Sequence, residues 1–346
     1  MAKKHDMESL LLGIGNPLLD ISASVDEAYL ERYDMKANDA ILADEKHMPI
    51  YKEIVEKYNA DYIAGGSVQN SLRVAQWILD KPRVATFFGC VGEDEYSKIL
   101  EERARADSVN VQYQYDVKQP TGTCAVLITG HHRSLCANLA AANCFTVDHI
   151  RKPENRKLME LAQYYYISGF FLTVNPETIM EVAKYSHAQK RTFIMNLSAP
   201  FISQFYKEPL MNAMPYIDIL FGNETEAETF ANEQSFGTKD LKEIALKICS
   251  LPKQDEAKPR IVILTTGSNP VILASNGKIT EFPVVRLEED KLVDTNGAGD
   301  AFVGGFLAQY IREQPLDVCI RCGIWTATQI IQRSGCTYEG KADFKA

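Results

Sequence analysis

The sequence predicts an α/β protein: a mostly parallel sheet sandwiched by helices, with a small β-rich lid. Three observations predict it. Buried-strand runs alternate with segments at helical period, the alternation fails in two stretches, and 346 residues suffice for one large domain plus a small one.

The apolar runs at residues 10–15, 83–89, 164–168, 192–196, 217–222 and 261–265 are bounded by glycine or polar residues and read as strands buried on both faces. Between them lie helical patterns, such as Val68, Leu72, Ala75 and Leu79, or Ile179, Val182, Ala183 and Ser186. That alternation marks a parallel sheet covered by helices on both faces. Residues 111–117, 121–129 and 134–140 instead follow one another with only turn-like breaks, and residues 28–64 carry no clean buried-strand pattern. The expected division is a large domain of residues 1–16, 66–109 and 142–346 and a lid of residues 17–65 and 110–141. Gly65-Gly66, at the first return, reads as a hinge, because glycine absorbs unusual backbone angles, or as an ordinary turn.

With 46% hydrophobic residues the chain is no disordered polymer. Its 37 Lys+Arg against 46 Asp+Glu give a net charge of -9, and no basic cluster exists beyond Lys3-Lys4, which argues against a nucleic-acid partner. The early apolar stretch, residues 10–19, is broken by Gly13, Gly15, Asn16 and Pro17; it is shorter than the ~20 residues of a membrane span and lacks a secretory cleavage pattern. The expected compartment is the cytoplasm, with the nucleus left open. Eight cysteines are too dilute for a disulfide scaffold and read as reduced thiols. The C-x-x-C of Cys319 and Cys322 falls in a helical pattern without further metal-ligand partners, so buried helix thiols are expected there.

The sharpest chemical feature is Asp294-Thr295-Asn296-Gly297-Ala298-Gly299-Asp300, followed at once by a helical pattern. Small residues at a helix start let backbone N–H groups approach an anion, and the helix dipole favours negative charge there. Asp300, in the first turn, is expected to stay ionised and to suit a base that takes a hydroxyl proton as a phosphoryl group arrives. The bland reading is a helix cap. Gly304-Gly305 argue for close packing, since each costs about 1 kcal/mol in a helix interior. Neither a P-loop nor a Rossmann fingerprint is present. A second candidate is Asn223 with Glu226, three apart on a first helical turn after a strand. They could hold a hydrated Mg²⁺ or form a capping box. The third is Asp20, after residues 15–19 end a strand; its carboxylate could read a vicinal diol or sit in an ordinary turn.

In this order, these sites resemble the ribokinase-like (PfkB) family of small-molecule kinases, with its D-T-x-G-A-G-D signature and early Gly-Gly pair. Residues 15–22 (GNPLLDIS), 133–144 (RSLCANLAAANC), 167–174 (ISGFFLTV), 196–206 (NLSAPFISQFY), 219–227 (ILFGNETEA) and 294–306 look most like its members that phosphorylate adenosine. The resemblance implies a ribokinase-like fold and transfer of the ATP γ-phosphate to the adenosine 5′-hydroxyl, giving AMP and ADP in purine salvage. It implies that Asp300 is the base, that Gly297, Ala298 and Gly299 form the anion hole, and that Arg133 closes on phosphates. Asp20 would take the 2′ and 3′ hydroxyls, joined by Gly66, Asn70, Asn16 and Asn296. Leu18, Leu42, Cys124, Leu135, Ala137, Phe170 and Phe201 would enclose the adenine. Asn223, Thr265, Gly267 and Ala327 would lie along ATP, and Asn223 with Glu226 would order Mg²⁺. Family members often hold a monovalent cation such as K⁺, for which Asp294 is the candidate ligand. Adenosine and ATP are the expected partners, with no nucleic acid or membrane, and a monomer is expected.

Two alternatives remain at this stage. A sister kinase for a sugar or another purine nucleoside would share Asp300, although a free sugar needs polar groups where Leu135, Ala137 and Phe170 stand. A non-catalytic nucleoside-binding protein would have little use for Asp300 beside Gly297 and Gly299.

Overall fold

Runs that are apolar on both faces become the strands of one large sheet. The computed structural model describes residues 8–130 and 132–345, so Lys3-Lys4 lies outside the described residues. In chain order the strands are β1 (Leu11–Ile14), β2 (Leu19–Ser24), β3 (Ala40–Leu42), β4 (Asp61–Ala64), β5 (Ala85–Gly92), β6 (Asn110–Asp116) and β7 (Thr123–Thr129). They continue with β8 (His132–Asn138), β9 (Tyr164–Ser168), β10 (Thr192–Asn196), β11 (Ile219–Asn223), β12 (Ile261–Thr265), β13 (Val271–Ser275) and β14 (Lys278–Phe282). The nine-stranded sheet has the order β14-β13-β12-β11-β10-β9-β1-β5-β6. It is parallel from β6 to β12, and β13 and β14 add an antiparallel edge. β1 lies between β5 and β9, so the strand order runs outward from it in both directions. Open α/β sheets take ligands at such a switch point, outside the carboxyl ends of the strands. Here those ends carry Asn16, Ser168, Asn196 and Asn223.

One boundary is corrected. Residues 110–116 were expected in the lid, yet β6 pairs in parallel with β5, from Thr86 opposite Asn110 to Gly92 opposite Asp116. Helix Glu95–Ala106 supplies the crossover of an ordinary βαβ unit. Val111 and Tyr113 alternate inward, and the Tyr113 ring meets Phe87 edge-on with centroids 6.0 Å apart. Proximity in sequence to β7 and β8 had disguised this strand.

The second sheet has five strands in the order β3-β8-β7-β2-β4. Ile21, Ala23, Ala125, Leu127 and Cys136 form its outer core with Tyr29, Leu30, Ile50 and Ile54 from helices Glu27–Arg32 and Met48–Lys57. Those two helices explain why residues 28–64 lacked a strand pattern. The chain passes between the sheets at residues 15–18, 65–66, 117–122 and 139–146.

Four helices bear on the site: α1 (Ser67–Leu79), α2 (Glu224–Glu233), α3 (Ala298–Ile311) and α4 (Leu316–Ile330). Gly304 lets α3 close onto α1, since a Cβ there would stand 2.5 Å from the Ser71 carbonyl oxygen. Gly305 does the same toward Thr326 of α4. Cys319 and Cys322 are buried on α4, and burial pushes both thiols up to about 12. Among the described residues, no helix is long and apolar enough to cross a membrane.

Helix propensity alone would make Gly304→Ala stabilising by about 1 kcal/mol. The 2.5 Å clash predicts the opposite sign. Gly304→Ala should lower stability by about 1–3 kcal/mol, read as a reduced urea midpoint at unchanged slope.

Candidate active site

The carboxyl ends of the large sheet face the small sheet across a cavity of about 350 Å³. Of the residues singled out from sequence, it is lined by Asn16, Leu18, Asp20, Leu42, Gly66, Asn70, Cys124, Arg133, Leu135, Ala137, Phe170, Phe201, Asn223, Asn296, Gly297, Gly299 and Asp300. Ala298, Glu226, Thr265, Gly267 and Ala327 are not in that lining. Asn38, Asp39, Ser67, Ser168, Ser198 and Thr295 are, and were missed.

Register explains the apolar wall. Asp20 pairs with Cys124, Cys124 with Ala137 and Ala137 with Leu42, so these four form one row across the small sheet. Leu135 and Ala40 belong to the row two residues on and therefore share its face. Asp20 is thus the charged member of an otherwise apolar row, which Ile63 of β4 completes beyond it. Opposite stand Phe170 and Phe201, ring centroids 6.2 Å apart.

The turn before α3 is shaped by Gly297, whose φ of +77° is left-handed and whose Cβ, if present, would lie 2.8 Å from Cys336 Cβ. Gly299 has open space where a Cβ would project, leaving its backbone accessible. Asp300 stands on the first turn of α3, held from α1. Ser67 Oγ donates to its Oδ1 at 2.7 Å and Asn70 Nδ2 to its Oδ2 at 3.1 Å. Burial pushes the Asp300 carboxyl up to about 6, opposed by those two hydrogen bonds. At that value Asp300 is mostly ionised at neutral pH, with desolvation working against the helix end.

Burial also pushes the Asp20 carboxyl up to about 7; the nearby Asp300 charge adds to this, and a hydrogen bond from Asn296 opposes it. Gly65 and Gly66 are required here sterically. A Cβ on Gly65 would collide with the Asp20 carboxylate, and Gly66, at φ +92°, would bring one within 2.5 Å of the Asn16 carbonyl oxygen. Asn16 is 7% exposed, and its Oδ1 has no hydrogen-bond partner while the residue lines the cavity. Such an orphaned acceptor suits a hydroxyl or N–H of a bound molecule.

Two expectations change at the rim. Arg133, expected as a free phosphate clamp, is buried and donates from Nε to Asp294 Oδ1 at 2.7 Å and from Nη2 to the Val293 carbonyl at 2.8 Å. Asp294 also accepts from Asn296 N at 2.7 Å and Gly335 N at 2.8 Å. Its carboxylate is thus satisfied by N–H donors and an arginine, which does not fit a monovalent-cation ligand. Asn223 and Glu226 form the capping box: Asn223 Oδ1 accepts from Glu226 N at 2.8 Å, and Glu226 accepts from Asn223 N at 3.0 Å and Nδ2 at 2.9 Å. Burial lifts the Glu226 carboxyl to about 7. Among the described residues no group of three or more His, Cys, Asp or Glu could hold a metal. Thr265 lies beside Asn223 in register, and Gly267 follows with a left-handed φ of +57°, so both continue the row of strand ends beyond the cavity. Ala327 is half-buried on α4.

The cavity is thus lined by the glycine turn and by both carboxylates. The model of the pfkB family carbohydrate kinases matches residues 27–342. This chain belongs to that family. It is 50% identical over 344 residues to "Adenosine kinase 2" of Arabidopsis thaliana, covering 99% of this chain and 100% of the relative. The Anopheles gambiae adenosine kinase, solved in complex with P1,P4-di(adenosine-5) tetraphosphate, is 60% identical with a TM-score of 0.96, over 97% of this chain and 99% of that one. The Schistosoma mansoni adenosine kinase, solved with 2-fluoroadenosine, is 38% identical with a TM-score of 0.93, over 96% and 98%.

The lifted carboxyls make a stability prediction. Asp20 and Asp300 ordinarily titrate at 3.8 and Glu226 at 4.5, below their folded values of about 7, 6 and 7. Between those limits the folded chain binds more protons than the unfolded one, so stability falls as pH rises toward 7. Asp20→Asn should therefore be more stable than wild type at pH ~8, the difference shrinking toward pH ~5, in urea unfolding at both.

Proposed function

We infer that the chain is an adenosine kinase, transferring the γ-phosphoryl group of ATP to the 5′-hydroxyl of adenosine to give AMP and ADP. The observation that carries this reading is that two carboxylates, one from the small sheet and one from the start of α3, line one nucleoside-sized cavity. Asp20 interrupts the apolar row, and Asp300 stands beside the glycine turn.

Adenosine lies with its adenine between the Leu135 and Ala137 wall and Phe170, in contacts of shape and stacking. Its 2′ and 3′ hydroxyls donate to Asp20, with the orphaned Asn16 Oδ1 as an additional acceptor for the same pair. The 5′-hydroxyl then faces Asp300. At a folded value of about 6 this carboxyl is ionised at neutral pH yet a stronger base than an ordinary aspartate. It takes the hydroxyl proton as the oxygen bonds to phosphorus and ADP leaves. The Gly297 and Gly299 N–H groups and the α3 N-terminus meet the charge on the moving phosphoryl group, whereas the Ala298 N–H donates to the Thr295 carbonyl at 3.3 Å. ATP approaches along Asn223, Thr265 and Gly267, toward Ala327. Arg133 acts through Asp294, fixing the turn rather than gripping phosphate.

Mg²⁺ fits in outer-sphere form. Each Glu226 oxygen already accepts one N–H and keeps a lone pair for a metal-bound water, while the ATP phosphates supply direct ligands. Bound there, it would neutralise phosphate charge. The small sheet is the lid that excludes water from the reaction. A cytoplasmic monomer remains our proposal for the protein's setting.

The test is ADP release from ATP with adenosine, ribose or guanosine as acceptor. Adenosine should be turned over with the highest kcat/KM. Asp300→Asn should lose about 10²–10⁴-fold in kcat, and Asp20→Asn should act chiefly on adenosine KM. Faster turnover of ribose, or full activity of Asp300→Asn, would refute the assignment.

A further inference from the structure

Arg73 lies on α1, is 1% exposed, and takes part in no step above. Its Nε donates to Asp107 Oδ2 at 2.6 Å, and its Nη1 reaches the Ala64 carbonyl at 3.4 Å and Asn70 Oδ1 at 3.2 Å. The Tyr338 ring stands 5.9 Å from the guanidinium carbon, and the Tyr338 hydroxyl donates to the Arg73 carbonyl at 2.9 Å. Arg73 is therefore fixed from three sides. Asn70, 4% exposed, is the bridge from it to Asp300.

The bridge has a polarity. A guanidinium only donates and an ionised carboxylate only accepts, so an amide between them satisfies both in one orientation: oxygen toward arginine, NH₂ toward carboxylate. Turned over, it would set donor against donor at Arg73 and acceptor against acceptor at Asp300, in a setting where unmade hydrogen bonds are costly. Of the groups around Asp300, the Ser67 hydroxyl rotates to suit either protonation state. Tyr166 of β9 and Cys336 of the C-terminal segment are pushed up by burial and stay neutral, and Asp20 of β2 is a like charge. Asn70 is the group whose donor is enforced by a third residue.

We propose that Arg73 is a positioning residue for the phosphoryl transfer: by holding Asn70 Oδ1 it keeps Asn70 Nδ2 on Asp300, so the base stays charged with its free lone pairs toward the acceptor hydroxyl. This deepens the kinase reading and rests on Asp300 being the base.

The experiment is the pH dependence of kcat with adenosine and ATP for wild type, Arg73→Lys, Arg73→Gln, Arg73→Met and Asp300→Asn. Lysine keeps charge and donor, glutamine keeps a donor alone, and methionine keeps neither. Arg73→Met should raise the acid limb by about one pH unit. Its rate at pH ~6 should fall several-fold and recover by pH ~8.5, while the Lys and Gln limbs stay at the wild-type position. Equal shifts in Gln and Met would assign the effect to charge, and a Met loss that no pH restores would assign it to structure; either overturns the proposal. Should the Met variant not fold, a limb raised by about a unit in Gln overturns it, and an unmoved Gln limb supports it. If Asp300→Asn keeps full kcat, the base assignment falls and this proposal with it; if Asp300→Asn is inactive and the Met limb does not move, only the Arg73 proposal falls.

Discussion

Asp20 of the small sheet and Asp300 of α3 enter one cavity, and among the described residues neither forms an ion pair. Burial lifts both toward neutrality, and the Asp300 charge lifts Asp20 further, which costs the protein stability. In the proposed binding mode adenosine would relieve that cost in two ways: its vicinal hydroxyls would give Asp20 the donors that burial denies, and its 5′-hydroxyl would give Asp300 a proton to take. The same unfavourable electrostatics therefore serve affinity at one end of the nucleoside and basicity at the other.

Such a site needs rigid supports, and the fold supplies them through groups far apart in sequence. Asp294 joins Arg133 of the small sheet, the backbone of the glycine turn and Gly335 of the C-terminal segment in one buried cluster. The turn is thereby fixed to the small sheet and the C-terminal segment, and its hydrogen-bonded N–H groups are those of Asn296 and Ala298, which leaves Gly297 and Gly299 for phosphate in the proposed mechanism. On the other side, α1 carries Ser67, Asn70 and Arg73, and Gly304 brings α3 close enough for Ser67 and Asn70 to reach Asp300.

Much of this was legible in the sequence where the signal is local. Strands at 164–168, 192–196 and 261–265 fall where the apolar runs predicted, because a strand buried on both faces announces itself without partners. Residues 294–300 were legible because only small residues allow a bare backbone turn at a helix start. The pairing of β6 was not, since three consecutive strand-like runs do not say which sheet each joins. Nor was Arg133, whose partner Asp294 lies 161 positions away. Asn223 with Glu226 permitted two readings from spacing alone; the hydrogen bonds show the capping box, which leaves only an outer-sphere place for Mg²⁺. Ser67 was missed because nothing around Gly66 says that the next side chain points at Asp300. The lifted carboxyls depend on burial, which no short motif encodes.

The net charge of -9 gives the phosphates no help from the overall field, so they must be met locally by backbone N–H groups, the α3 N-terminus and Mg²⁺. The central claim is that one nucleoside bridges the two carboxylates. A crystal structure with adenosine bound tests it most directly. The account predicts the ribose 2′ and 3′ oxygens on Asp20 and the 5′-oxygen within about 2.6–3.2 Å of an Asp300 carboxylate oxygen. Adenosine seated with its 5′-oxygen away from Asp300, or with Asp20 touching no hydroxyl, would contradict it.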